Sequence, residues 1–218
     1  MTAAKFHFPT SIFNERVATF VGAFFEEMAR LHAEQGWAWA EPVHDEEAWE
    51  SPDYSVRVTK RRKDGAVRQL ALICRRLPCV RSVGANDRME VRYDHEWQVH
   101  LPRSYPNDLG RIAVRAVTPC YQPRVGSTGV GVACMHVNGE IDRVLLDIVW
   151  TILLDPARVQ PPSLYPGRDR GMNTAAMNWF ECAPHGIHAH LLKLWARAHG
   201  ATAFVTARRG VALEVEDA

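Results

Sequence analysis

The sequence predicts an α+β protein: an N-terminal helix, a four-stranded antiparallel meander, a long cysteine-bearing loop, then central and C-terminal helices. Three observations carry this. Val17, Phe20, Val21, Phe24, Phe25, Met28 and Leu31 recur at helical spacing. Four apolar-alternating runs follow, over residues 54–60, 67–74, 89–101 and 112–116, separated by short turns. A glycine-rich stretch over residues 126–131 then leads to Cys134, and a strongly apolar helix starts near Asp142.

The first helix is expected over residues 14–35, capped by Ser11 or Asn14 and ended by Gly36. Its three phenylalanines call for a broad packing partner such as a sheet. A polar, acidic connector with Trp37, Trp39 and Trp49 comes next and is read as a flap over the core. The run Lys60-Arg61-Arg62-Lys63 sits at a hairpin whose tip is Asp64-Gly65, where a solvated charge cluster is the default. Met89, Val91, Tyr93, His95, Trp97, Val99 and Leu101 suggest one long strand, kinked near Asp94. Pro102 ends it, and a Tyr105-Pro106 turn feeds the 112–116 strand. In the central helix Val144, Leu145, Ile148, Val149, Ile152 and Leu153 form the buried side. A proline-rich loop follows, then a short helix capped by Asn173 and a final helix after Pro184, with a tail that is a short strand or a loose end.

At 218 residues, with 47% hydrophobic and 23% charged side chains, the composition is that of one globular domain, 1–218, with an ample core. A net charge of +1 gives no general attraction to nucleic acid or membrane. The opening MTAAKFHF has neither a basic segment nor an apolar run of a secretory signal, so a cytoplasmic location is expected. Five irregularly spaced cysteines suit reduced thiols better than a disulfide framework. The basic residues are almost all arginine, which composition bias explains adequately.

The second half of the chain carries a resemblance. Trp97-Gln98-Val99-His100-Leu101-Pro102 and Tyr105-Pro106 are similar to a strand-plus-turn motif, F-x-L-x-I-x-h-P-x-x-Y-P. Thr118-Pro119-Cys120-Tyr121-Gln122-Pro123-Arg124-Val125, a loop, and Ala133-Cys134-Met135 resemble T-x-x-Y-H-P-N-I, a loop, and I-C-L. Residues 144–156 are similar to V-L-L-x-I-x-x-L-L-x-x-P, and Met172-Asn173-Thr174-Ala175-Ala176 to P-L-N-x-x-A-A. Their order over residues 90–180 resembles the ubiquitin-conjugating enzyme (UBC-like) family, above all its divergent bacterial members from antiviral operons. Residues 184–218 form a C-terminal extension to that core.

The resemblance implies a UBC-like fold in which Cys134 accepts a ubiquitin-like protein as a thioester from an activating enzyme and passes it to an amine of a target protein. No cofactor is implied, and the activating enzyme is expected to dock on the first helix, where Glu15, Arg16 and Glu26 are outward polar residues. His136 and Asn138 from the segment after the cysteine, or Asp155 and Asp169 from the proline loop, are candidates to help the amine lose its proton. Gln122 and Arg124 stand where the family has His and Asn, so they are the candidates for loop and oxyanion support. The segment between Cys134 and the next helix is also shorter than in the family.

Three other readings fit parts of the sequence. A UBC variant that only binds a ubiquitin-like partner is favoured by the missing Asn and disfavoured by Cys134. Cys182, His185, His188 and His190 have zinc-ligand chemistry, but His188 and His190 project to different sides of a regular helix, so they are read as solvated or capping side chains and no metal is assigned. A cysteine hydrolase pairing Cys134 with His136 is the third, and the pairing is read as geometrically poor.

Overall fold

The computed structural model describes residues 10–84, 88–103, 105, 112–126, 128–133, 135, 140–159, 173–206 and 211–212. Helix α1 spans Thr10–Glu34 and buries Phe13, Val17, Val21, Phe24, Phe25, Met28 and His32. It starts before both Ser11 and Asn14, so neither is its cap. Asn14 instead donates from Nδ2 to the Gly65 carbonyl (3.3 Å) and accepts from the Val67 amide (3.1 Å), clamping α1 to a sheet hairpin. The helix ends in a Schellman motif. Gly36, at φ +67°, donates to Ala33 O (3.0 Å) and Trp37 donates to His32 O (2.9 Å).

The Trp-rich connector does cover the core, and part of it is strand. β1 (Val43–His44) and β2 (Ala48–Glu50) form an edge hairpin, with Trp37 and Trp49 buried. β3 (Tyr54–Arg61) and β4 (Val67–Cys74) follow, turned at Gly65. Next come β5 (Cys79–Val83), β6 (Met89–Arg92), β7 (His95–His100), β8 (Ala113–Ala116) and β9 (Gly131–Ala133). The main sheet runs β1-β2-β3-β4-β7-β8-β9, antiparallel throughout, and contains the expected four-stranded meander as β3-β4-β7-β8.

The long strand expected over residues 89–101 is instead two. β6 pairs with β5 in a separate two-stranded sheet, while β7 continues the main sheet with Leu72 opposite Trp97 and Trp97 opposite Ala116. The break lies at Tyr93-Asp94, and Tyr93 O accepts from the Leu77 amide (3.2 Å).

Helix α2 (Ile141–Ile152) lays its apolar face, Ile141, Val144, Leu145, Ile148, Val149 and Ile152, into the core and packs against α1. α3 (Pro156–Val159), α4 (Thr174–Cys182) and α5 (Pro184–Ala198) follow, and β10 (Val205–Thr206) pairs with β11 (Val211–Ala212). One cluster of buried side chains runs from α1 through Trp97 in the sheet to Trp195 in α5. Among the described residues no helix is long and apolar enough to cross a membrane.

Candidate functional site

Cys134, His136, Asn138 and Asp169 lie outside the described residues, so the site is built from what frames them. Upstream, Ala133 closes β9, pairs with Val114 of β8 and makes a further bridge to Val125. Met135 packs against the core. Downstream, Glu140 opens α2 in an extended conformation without capping it by its side chain. Its carboxylate accepts instead from the Tyr105 hydroxyl (2.9 Å) and from Arg16 of α1 (3.1 Å). Tyr105 is buried with its ring edge-on to Phe13 (5.7 Å). Burial and the adjacent carboxylate push its phenol pKa up, so it stays a hydrogen-bond donor. Glu140 was not legible from the sequence, where it is one acidic residue beside a helix start.

The loop between β8 and β9 is held by its backbone. Tyr121 donates to Val80 O of β5 (2.7 Å), Cys120 to Gly129 O (2.9 Å) and Gly129 to Gly126 O (2.8 Å). Gly129 has φ +73°, and a Cβ there would lie 3.0 Å from the Cys120 nitrogen.

Gln122 and Arg124 are brought together and buried. The Gln122 side-chain oxygen accepts from the Arg124 amide (3.1 Å), which tightens the turn. Arg124 Nε donates to the Val159 carbonyl at the end of α3 (2.9 Å). Pro123 O accepts from the Asn173 amide (3.2 Å), and Asn173 caps α4 through the Ala176 amide (3.1 Å) as its sequence position predicts. The Gln-Pro-Arg turn thus joins β8, α3 and α4. Gln122 Nε2 and Asn173 Nδ2 are buried donors without an acceptor among the described residues.

Asp155 has local work: its carboxylate accepts from the Ala157 amide (3.0 Å), capping α3. On α1, Glu15, Arg16 and Glu26 are exposed as expected, but Arg16 is engaged by Glu140. Glu15 and Glu26 line an open groove of about 1070 Å³ between α1 and the β1–β2 hairpin. Cys182, His185, His188 and His190 form no metal-ligand group among the described residues. The Cys182 thiol points to Asn178 O (3.3 Å) and His188 Nδ1 bonds Leu153 O (2.8 Å).

Cys74, Cys79 and Cys120 are buried, with Cys79 Sγ 2.8 Å from Cys120 Sγ. Burial pushes the Cys74 and Cys79 thiols up, away from the reactive thiolate. In native protein at neutral pH, iodoacetamide should therefore modify exposed Cys182 while these three react only on unfolding. Peptide mass spectrometry checks this; labelling of Cys79 at the rate of Cys182 would show the β5–loop junction to be open.

No protein-family model matches the chain, and no curated protein matches it.

Proposed function

We propose that the chain is a ubiquitin-conjugating-enzyme-like acyl carrier. Cys134 takes a ubiquitin-like protein as a thioester from an activating enzyme and passes it to an amine of a target protein, in the setting of bacterial antiviral defence. The observation that carries this reading is the buried Gln122-Pro123-Arg124 turn. It follows an antiparallel meander, starts the glycine loop that leads to position 134, and precedes the apolar helix α2, which is the order of elements in a UBC-like fold.

The chemistry is two acyl transfers. The Cys134 thiolate attacks the thioester carbonyl held by the activating enzyme and expels that enzyme's thiolate. A deprotonated target amine then attacks the new thioester, forming an amide and releasing the Cys134 thiol. Each step builds negative charge on the carbonyl oxygen, which backbone N–H groups of the loop and the Gln122 amide are suited to stabilise. Arg124 serves the frame instead, through its bond to Val159 O. The activating enzyme docks on the exposed face of α1 beside the groove lined by Glu15 and Glu26.

The use of Arg124 as a structural tie favours a second reading, a UBC variant that binds a ubiquitin-like partner without transferring it. One assay separates them. The protein is incubated with an activating enzyme, a ubiquitin-like protein and ATP, and resolved with and without reductant. The expected result is an adduct that reductant removes in the wild type, none in Cys134→Ala, and a reductant-resistant ester in Cys134→Ser. A charged activating enzyme with no adduct on the wild type would leave the binding module.

A further inference from the structure

His32, Asp53 and His199 come from three distant parts of the chain, and one ligand-type atom of each lies within 4.8 Å of the other two. That bound places all three donors within about 2.8 Å of a common centre, so a closure of under about 1 Å reaches Zn–N and Zn–O distances of about 2.0–2.2 Å. Both imidazoles are delivered by helix ends of the same design. His32 is the residue whose carbonyl takes the Trp37 amide in the Schellman motif of α1. His199 caps α5, whose own Schellman motif has Gly200 at φ +75° donating to Arg197 O (3.0 Å) and Ala201 to Ala196 O (2.9 Å). Two helix C-termini and a carboxylate therefore converge, a field that favours a cation.

The rings are already set for ligation. His32 is fully buried, and its Nδ1 donates to the Ala38 carbonyl (3.2 Å), which leaves Nε2 with a bare lone pair. Neither His32 Nε2 nor His199 Nε2 has a hydrogen-bond partner among the described residues. His199 stacks flat on Trp37 (4.4 Å, 6° between planes), which fixes its ring. Asp53 is 3% exposed, and Arg76 binds its carboxylate through Oδ1, orienting it and offsetting part of its charge. Burial disfavours the charged form of both imidazoles, the direction that ligation requires.

We infer that His32, Asp53 and His199 form a binding site for a divalent transition-metal ion of the zinc class, which staples the C-terminal helix to the end of α1. Two imidazoles and one carboxylate are a standard three-donor set for such an ion, with the fourth position left to solvent from the half-buried His199 side. The site lies apart from the Gln122–Glu140 frame and does not depend on the function proposed for it.

The test uses the full chain, produced without a histidine tag. Wild-type protein should carry about one zinc per chain by elemental analysis, and chelation should lower its melting midpoint by about 5 °C. Co²⁺ added to the stripped protein should give the visible absorption of a tetrahedral site. His199→Gln, placed at a helix end and checked for folding by circular dichroism, should weaken binding at least tenfold. Asp53→Asn should do the same. The double variant His185→Gln/His190→Gln should keep both the metal and the Co²⁺ spectrum. Absence of metal and of any Co²⁺ band in the wild type would overturn the site. So would metal retained undiminished in His199→Gln, or lost in His185→Gln/His190→Gln.

Discussion

Gly129→Val is expected to destabilise the protein by about 3 kcal/mol, because a β-branched residue in the left-handed region, a backbone clash and a lost hydrogen bond fall on one position. Gly129 sits at φ +73°, and its added Cβ would be 3.0 Å from the Cys120 nitrogen and 3.1 Å from the Cys120 oxygen. Neither atom can rotate away, since both are backbone. The same shift breaks the Cys120 amide bond to Gly129 O, which holds the loop against the residue that precedes Tyr121 and Gln122. Gly131 is the internal control. It has φ +105° but no described atom within 4 Å of an added Cβ, so Gly131→Ala should cost only the backbone term, about 1 kcal/mol. Urea unfolding of the two variants checks the difference. Equal midpoints would mean that the loop yields freely at Cys120 and does not hold position 134 from that side. If Cys134 carries the thioester, Gly129→Val should also load more slowly than Gly131→Ala.

What could be recovered from the sequence follows from how local each signal is. The buried stripe of α1, the Asp64-Gly65 hairpin tip, the Asn173 cap and the apolar face of α2 are each written within a few residues, and each stands where expected. The split of residues 89–101 is not local. Alternation runs unbroken through it, and only the pairing of Met89–Arg92 with Cys79–Val83 decides that it becomes two strands. Ser11 and Asn14 both have cap chemistry, but α1 begins at Thr10 and takes both into the helix, and the Asn14 amide is spent on Gly65 and Val67, across the fold. Gln122 and Arg124 are marked in the sequence by motif position. Their burial depends on Val159 and Asn173, which arrive much later in the chain. His32 has no local signal, because it continues the apolar stripe one turn past Met28 and its neighbours Asp53 and His199 carry no motif.

Acid should destabilise the fold well above the pH at which carboxylates titrate, and buried His95 contributes directly to this. His95 is buried at the start of β7, and its Nε2 donates to Leu77 O (2.9 Å) and Arg92 O (3.2 Å). Its Nδ1 is buried without a partner among the described residues, so a second proton would have no acceptor there. Burial accordingly lowers its pKa from 6.5 to about 4. A histidine that resists protonation only when folded lets the unfolded chain take up the proton first. Its stabilisation is complete above pH 6.5 and is lost as the pH falls towards 4, a loss of about 3 kcal/mol at 1.4 kcal/mol per unit. His95→Gln can keep a donor towards Leu77 O without a titrating group. It should be less stable than wild type at pH 7, and its stability should fall less between pH 6.5 and 4. Denaturant unfolding at pH 7, 5.5 and 4.5 measures this. Parallel curves for the two proteins would show that His95 is protonated in the folded state, and that the β6–β7 corner opens to admit the proton.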